Sequence, residues 1–352
     1  MEEAVTTLIT SDLHFTDKPR DAYRFKLFPW IEEQVVKHKV DYVLVLGDLT
    51  DAKDRHSAAL VNQIVDHTAS LSKKARTFFL RGNHDGLDPD HPFFRFFNQM
   101  PFLAFIVQPE QVKLANFSDA KTADVLFLPH SRDTKKDWHG INMSRFDYVF
   151  LHQTLKGALS ENGMVLDGIA ASAFKEVKRA AFSGDIHVPQ RIGPVEYVGS
   201  PYHVHFGDSF EPRVVLLKEG EGRNLRFPAV RKHALRLRVP EDIAKHTELR
   251  KGDQVKVKLV LRRSEFSDWL ALRRRVVDIC QRLGLDLHGV EVEELKRKQL
   301  QGEQSIPAPL PSARPQDAFA RYCQRERIEE DLAKAGLAFL DDGQHALHSP
   351  SD

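Results

Sequence analysis

The chain has 352 residues, 51 Lys+Arg against 50 Asp+Glu, and a hydrophobic fraction of 41%. That length suits two or three domains and that apolar content builds a large core, whereas a formal net charge of +1 leaves partners to be read from local patches. Cys280 and Cys323 match no metal or redox spacing, the N-terminus shows no basic-then-apolar leader, and no apolar run approaches the roughly 18 residues that span a bilayer, so a soluble cytoplasmic protein is expected.

From residue 5 to about 218, apolar runs alternate with helical patterns. Tyr42–Leu46, Thr77–Leu80, Val125–Leu128, Tyr148–Leu151 and Ala180–Phe182 read as strands. They are mostly continuous rather than alternating, so both faces are expected to be covered. Phe25, Phe28, Ile31, Val35 and Val36 share one helical face, and Leu60, Val61, Ile64, Val65 and Leu71 share another. Glu196–Val198 and Val214–Leu217 follow as closing strands. The pattern is an α/β layered domain over residues 1–228, bounded by the polar run Glu219-Gly220-Glu221-Gly222-Arg223-Asn224.

A smaller α+β unit is expected over residues 229–300. Gln254–Leu261 alternates after a Gly252-Asp253 turn. Phe266, Trp269, Leu270, Val276, Val277 and Leu283 mark an amphipathic helix, and Leu285–Val292 a further strand. Residues 301–315, rich in Pro, Ser and Ala, read as a linker. A helical segment carrying Phe319, Tyr322 and Leu332 is expected over 316–340, and a disordered tail over 341–352.

The chemistry-bearing residues stand at strand ends. Asp12 and His14 follow the first apolar run, and in an extended chain positions i and i+2 point to the same side, so both reach one ion. Gly47 lets the backbone turn sharply and exposes Asp48. Asn83 and His84 follow Gly82 in the same manner, His152 ends Phe150-Leu151-His152, and Asp185 and His187 end the next run. Open α/β sheets place their sites at such C-terminal strand ends. A mixed carboxylate, imidazole and amide set suits Mn²⁺, Fe²⁺ or Zn²⁺ better than an all-oxygen Ca²⁺ or a thiolate Zn²⁺ site.

Asp12-Leu13-His14, Gly47-Asp48, Gly82-Asn83-His84-Asp85, His152 and Gly184-Asp185-Ile186-His187, in that order and each closing an apolar run, resemble the five motifs of the calcineurin-like metallophosphoesterases. Ser183 to Gln190, followed by Val198-Gly199-Ser200-Pro201, is similar to the SbcD-type nuclease subunit of DNA double-strand-break repair complexes, in a bacterial or phage version. The position and layout of the 229–300 unit resemble that family's capping domain, and Phe319-Ala320-Arg321-Tyr322 its terminal helix. The resemblance implies two central β-sheets flanked by helices. It implies Asp12, His14 and His187 on one metal, Asn83, His152 and the Asp185 position on the other, Asp48 bridging, and His84 as proton donor. The family's pattern has His where this chain has Asp185, and a carboxylate there favours a hard ion such as Mn²⁺, with Mg²⁺, Fe²⁺ or Zn²⁺ as alternatives. The implied activity is hydrolysis of DNA phosphodiesters, exonucleolytic and also endonucleolytic: activated water attacks phosphorus in line and His84 protonates the departing 3′ oxygen. The implied partners are DNA, an SMC-like ATPase docked on the 316–340 helix, and a second copy of the chain.

Residues 231–263 hold 11 Lys+Arg against 4 Asp+Glu, and Arg273-Arg274-Arg275 follow. Lys256, Lys258, Arg262, Arg263, Arg273 and Arg274 are candidate phosphate-backbone contacts, with a solvated charged face as the alternative. Asp51 is read as a helix cap. His203, His205 and Asp208 either line the site, orient ligands, or are not ligands. His56, His91, His130 and His139 are read as loop residues. Phe93, Phe94, Phe96 and Phe97 read as core, with a dimer surface as the alternative. Two rival functions stand beside the nuclease: a stand-alone phosphoesterase on nucleotides or phosphoproteins, and a DNA-binding scaffold whose metal site Asp185 has weakened.

Overall fold

The computed structural model describes residues 6–115, 122–218 and 220–295, with Cys323 and Lys334. The chain divides into two compact units, Met1–Leu295 and Lys296–Asp352. The expected linker at 301–315, docking segment at 316–340 and tail at 341–352 lie outside the described residues, apart from Cys323 and Lys334, which are helical.

Four strands, β1 (Thr6–Thr10), β2 (Tyr42–Val45), β3 (Arg76–Leu80) and β4 (Leu103–Ile106), pair in parallel. The helices α1 (Leu27–His38) and α2 (Ala58–Ser72) connect the first three. The chain then builds a second sheet from β5 (Glu110–Ala115), β6 (Thr122–Leu128), β7 (Tyr148–His152), β8 (Ala180–Gly184), β9 (Gln190–Ile192) and β10 (Val195–Tyr197), with a one-turn helix α3 (Thr134–Asp137) between β6 and β7. Next, β11 (Val214–Lys218) and β12 (Glu221–Leu225) return to the first sheet, whose order is β12-β11-β1-β2-β3-β4. The second sheet runs β5-β6-β7-β8-β10-β9.

Continuous apolar runs are what two stacked sheets require. Along β2, Val43 and Val45 face the helices while Leu44 faces the other sheet. Along β7, Val149 and Leu151 face outward packing while Phe150 faces inward. Between the sheets Phe78, Phe127, Phe150 and Phe182 stack in a row, with centroids 5.3, 5.5 and 5.8 Å apart. Offset aromatic stacking adds to the area these rings bury. The row lies under the strand ends that carry the site and holds their relative positions.

The third sheet, β13 (Lys232–Leu237), β14 (Gln254–Leu261) and β15 (Asp286–Glu294), is parallel throughout and carries α4 (Trp269–Leu283) between its last two strands. Leu235, Val255, Val257, Leu259, Val276 and Ile279 form its separate core. At β13, buried Lys232 donates to Asp21 Oδ1 and Val204 O, both at 3.0 Å, which seats this module on the loops beside the site.

Several expectations are corrected. Val36 is 67% exposed, because α1 turns only Leu27, Phe28, Ile31 and Val35 inward. Leu270 is 65% exposed, and Phe266 and Leu283 are also exposed, so the buried stripe of α4 is Val276, Ile279 and Cys280. The polar run at 221–225 is an edge strand, since an edge needs only one buried neighbour. Asp51 caps no helix: α2 begins at Ala58, and Ser57 accepts from the Leu60 N–H. Phe94 and Phe97 are buried, and Phe96 is 39% exposed.

Candidate metal centre

The ends of β1, β2, β3, β7 and β8 converge. Asp12, His14, Asp48 and Asp185 all have positive φ, at 55°, 42°, 56° and 86°. Left-handed backbone costs non-glycine residues free energy and persists where surroundings enforce it. The surroundings here are explicit. Ser200 Oγ donates to Asp12 O at 3.1 Å, the Tyr202 hydroxyl to Leu13 O, and the Arg24 guanidinium to His14 O. Three consecutive carbonyls are thus held by distant side chains. Asp12 and His14 therefore approach one another on a coiled segment and not, as expected, on an extended one.

Three donor sets result among the described residues, each with one ligand atom per residue inside 4.8 Å: His14–Asp51–His84 toward the surface, and two deeper ones, Asp12–His14–His187 and Asp12–Asp48–His152. Asp48 spans the two deeper sets: Oδ2 is 3.6 Å from His14 Nε2 and Oδ1 is 3.5 Å from His152 Nε2. His152 Nδ1 donates to Leu46 O at 2.6 Å, which leaves Nε2 as the donor toward the site. His14 Nε2 and His187 Nε2 face each other at 3.1 Å. Asn83 Oδ1 lies 3.0 Å from His152 Nε2. Turned over, the amide would donate to His152 Nε2 at 3.0 Å and to Asp48 Oδ1 and Oδ2 at 3.2 and 3.1 Å. With its oxygen inward, amide, imidazole and carboxylate converge as cation ligands. Buried Asp12 Oδ2 has no hydrogen-bond partner, as befits an oxygen kept for a cation. The residues therefore fit divalent metal.

Asp185 stands apart from all three sets. Its Oδ2 accepts from Thr154 Oγ1, its N–H donates to Asp12 Oδ1 at 3.1 Å, and Oδ1 is 3.7 Å from His152 Nε2. His84 Nδ1 donates to Asp51 O at 2.7 Å, so Nε2 is its free nitrogen, and its ring lies 5.0 Å from that of His14.

Sequence reasoning assigned no role to Asp85. Its Oδ2 accepts from Asp48 N at 2.9 Å and Gly82 N at 2.7 Å, and Oδ1 accepts from Leu49 N at 2.9 Å. It bolts the β3 loop to the β2 loop. The signal available was an Asp in a turn, the residue type that most readily accepts backbone N–H bonds. His203 and Asp208 are structural: His203 Nε2 donates to Phe210 O at 3.0 Å, and Asp208 Oδ2 accepts from Val204 N and His205 N at 2.8 and 2.9 Å. Exposed His205 stacks on His187, centroids 5.5 Å apart. The His130 ring stands 6.2 Å from that of His152, nearer the site than a loop residue was expected to be. His56 is 2.8 Å from Thr50 Oγ1, and His91 contacts Asp88. The described residues contain no helix long and apolar enough to cross a membrane.

Among the candidate backbone contacts, Lys256 pairs with Glu291 at 2.6 Å and Lys258 lies 4.0 Å from Glu293. Arg262, Arg263, Arg273 and Arg274 are exposed, and the Arg262 N–H donates to Glu265 Oε2 at 2.7 Å.

Burial pushes the Asp12 carboxyl up to about 8, and burial followed by the charge of Asp85 pushes Asp48 well up. Burial lowers His187 to about 4 and His14 well below its ordinary value, which keeps both imidazoles in the neutral, ligating form. The two trends oppose each other in stability. Above about pH 7 the histidines are mostly neutral in both folded and unfolded chains, so the carboxyls dominate. A proton held by folded Asp12 and released on unfolding makes stability fall as pH rises. Metal-free protein should therefore lose stability as pH rises from 7 to 8, by at most about 1.4 kcal/mol per pH unit for Asp12, with Asp48 acting in the same direction. Affinity for a divalent ion, which replaces that proton, should rise over the same window. Thermal unfolding in chelator across this range is the check, and a flat melting temperature would refute the assignment.

A layered α/β scaffold with two divalent-metal donor sets sharing carboxylates at its strand ends defines a metal-dependent hydrolase of phosphoesters. The chain matches the calcineurin-like phosphoesterase family over residues 5–189 and belongs to that family. It is 25% identical over 281 residues to the phosphoesterase-like protein 078R of Invertebrate iridescent virus 3, covering 74% of this chain and 77% of that one. Among solved structures it is similar to GAP50 of Plasmodium (11% identity, TM-score 0.41, 66% of this chain and 91% of that one). It is also similar to a dimetal phosphatase from Danio rerio (11% identity, TM-score 0.38, 64% and 100%). At these scores neither structure speaks to substrate.

Proposed function

We propose that this protein is a Mn²⁺-dependent phosphodiesterase acting on DNA, the nuclease subunit of an SbcCD-like complex. The observation that carries this reading is a cationic cavity on each flank of the metal centre. One, of about 200 Å³, lies on the His14 side and is lined by Lys18, Arg20, Arg24 and Lys232 with Asp21 and Asp51. The other, also about 200 Å³, lies beside Asn83 and is lined by Lys53, Arg81 and Arg132 with Asp88. Arg20 faces His288 Nδ1 at 3.3 Å, and no carboxylate salt bridge engages Arg20, Lys53 or Arg132 among the described residues. A lone phosphomonoester needs no second basic pocket, whereas a nucleic acid strand brings a phosphate to each side of the one being cut. Arg262, Arg263, Arg273 and Arg274 would extend the backbone path, with Lys256 and Lys258 engaged in their ion pairs. By the resemblance of its motifs, the proposal includes an SMC-like ATPase partner on segment 316–340 and a second copy of the chain.

Divalent ions in this centre supply Lewis acidity at the phosphoryl oxygens and activation of the attacking water. The chain's part is placement. Asp48 and Asp12 hold both ligand sets in one frame. His84, its Nδ1–H given to Asp51 O, would carry a second proton on Nε2 and hand that one to the leaving oxygen.

The test compares thymidine tetranucleotide, the dinucleoside TpT and an aryl phosphodiester with Mn²⁺ present. Turnover efficiency should rise at least about tenfold from dinucleoside to tetranucleotide. Lys53→Glu with Arg132→Glu, and Lys18→Glu with Arg20→Glu, should each remove that rise and spare the aryl ester. Preferred cleavage of phosphomonoesters, indifferent to these substitutions, would instead favour a stand-alone phosphoesterase.

A further inference from the structure

His187 reaches the centre through Nε2, which faces His14 Nε2 at 3.1 Å. A neutral imidazole carries one ring proton, and whichever nitrogen holds it cannot bind a cation. If His187 carries that proton on Nε2, it fills the space between the two rings. Something must draw it to Nδ1. For His152 the same task falls to Leu46 O. His187 Nδ1 has no hydrogen bond in the structure, yet Glu161 Oε1 stands 3.2 Å from it, close enough to accept after a small rotation.

Glu161 is delivered there by an organised excursion between β7 and β8. Leu159 bridges Val165. Ser160 N donates to Met164 O at 2.9 Å, and Leu166 N to Ala158 O at 2.7 Å, so residues 158–166 fold back on themselves. Gln190 then grips the excursion at one residue: its Oε1 accepts from Leu159 N at 2.8 Å and its Nε2 donates to Leu159 O at 2.7 Å. Gln190 stands three residues beyond His187 on the same stretch of chain. The clamp therefore ties the excursion to the segment that carries the ligand, two residues from Glu161.

We infer that Glu161 is the positioning residue of His187. Its carboxylate accepts a hydrogen bond from Nδ1–H, which leaves the Nε2 lone pair toward His14 and raises the basicity of the ring. Gln190 sets the distance at which it does so. The inference rests on the metal-centre reading and is independent of whether the substrate is DNA. Partial exposure of Glu161, 30% for its side chain, makes substitution compatible with folding.

The test uses the full chain, Mn²⁺ alone as probe, and three variants: Glu161→Ala, Glu161→Gln and Gln190→Ala. Equilibrium Mn²⁺ titration should show one of two ions weakened about 10- to 100-fold in Glu161→Ala, with the other unchanged. Glu161→Gln, which keeps an accepting oxygen, should recover most of the loss, and Gln190→Ala should fall between. Long-range ¹⁵N–¹H spectra should place the His187 proton on Nδ1 in the parent and shift it in Glu161→Ala. Unchanged binding of both ions, equal weakening of both, an unaltered tautomer, or a parent chain that takes up no Mn²⁺ would each overturn the inference. Absence of DNA cleavage by the parent chain, with the selective Mn²⁺ effect of Glu161→Ala intact, would count against the nuclease reading only.

Discussion

Asp48→Asn should lower phosphodiester turnover by on the order of 10³-fold or more while leaving the metal-free protein at least as stable as the parent. Asp48 is the carboxylate whose two oxygens face different imidazoles, His14 through Oδ2 and His152 through Oδ1. An asparagine of the same shape offers one oxygen and so serves one set. Its effect on folding runs the other way. Asp48 is buried, and burial and the nearby charges of Asp85 and Asp185 raise its pKa. A neutral side chain there relieves that crowding and still offers an oxygen to the His84 N–H, which Asp48 Oδ1 accepts at 2.9 Å. Turnover measured alongside thermal unfolding in chelator separates the two effects. Retention of more than a tenth of the parent activity would reject the bridging role.

Gly184→Ala should destabilise the fold by about 3 kcal/mol and abolish activity with it. A Cβ at Gly184 would sit 2.1 Å from Ser11 Oγ, 2.2 Å from Leu46 O and 2.8 Å from His152 Nδ1. Leu46 O is backbone and cannot swing away. It also accepts from both Ser11 Oγ, at 2.9 Å, and His152 Nδ1, at 2.6 Å. Parting β8 from β2 therefore breaks the bonds that aim His152. The matched control is Gly289→Ala in β15, where nothing lies within 4 Å and the substitution should be nearly neutral. Equal melting temperatures for the two variants would refute this account of the close packing at the strand ends.

The donors themselves were legible because each stands where an apolar run stops, and a strand covered on both faces must end its run where it meets solvent. The layered fold was legible for the same reason. What holds the donors was not. Ser200, Tyr202 and Arg24 reach the carbonyls of residues 12 to 14 from other parts of the chain, and Asp12 and Ser200 are 188 positions apart. Nothing local in Asp12-Leu13-His14 announces a left-handed backbone, since neither Asp12 nor His14 is a glycine. Asp185 presented the reverse case. Its place in the motif was evident, but its engagement with Thr154 depends on β7 lying beside β8.

The charge of the small module shows how far local composition misleads. The basic excess at 231–263 counted residues whose partners lie outside that window. Arg231 meets Glu211, Lys232 meets Asp21, Arg236 meets Glu293 and Arg238 meets Glu265. Lys232 and Asp21 are buried, whereas the more exposed pairs of Arg231, Arg236 and Arg238 contribute little to stability but remove free cations from a surface that would otherwise attract a polyanion. The exposed arginines that remain, Arg263, Arg273 and Arg274, make a smaller patch than the sequence suggested.

The central claim is that two ions share this centre and that phosphodiester hydrolysis depends on both. Mn²⁺ titration of the full chain at pH 8, with turnover of an aryl phosphodiester followed in the same samples, tests it directly. Two ions per chain, with activity rising only as the second binds and vanishing in chelator, is the expected result. Uptake of one ion or none, or turnover that persists in chelator, would contradict it.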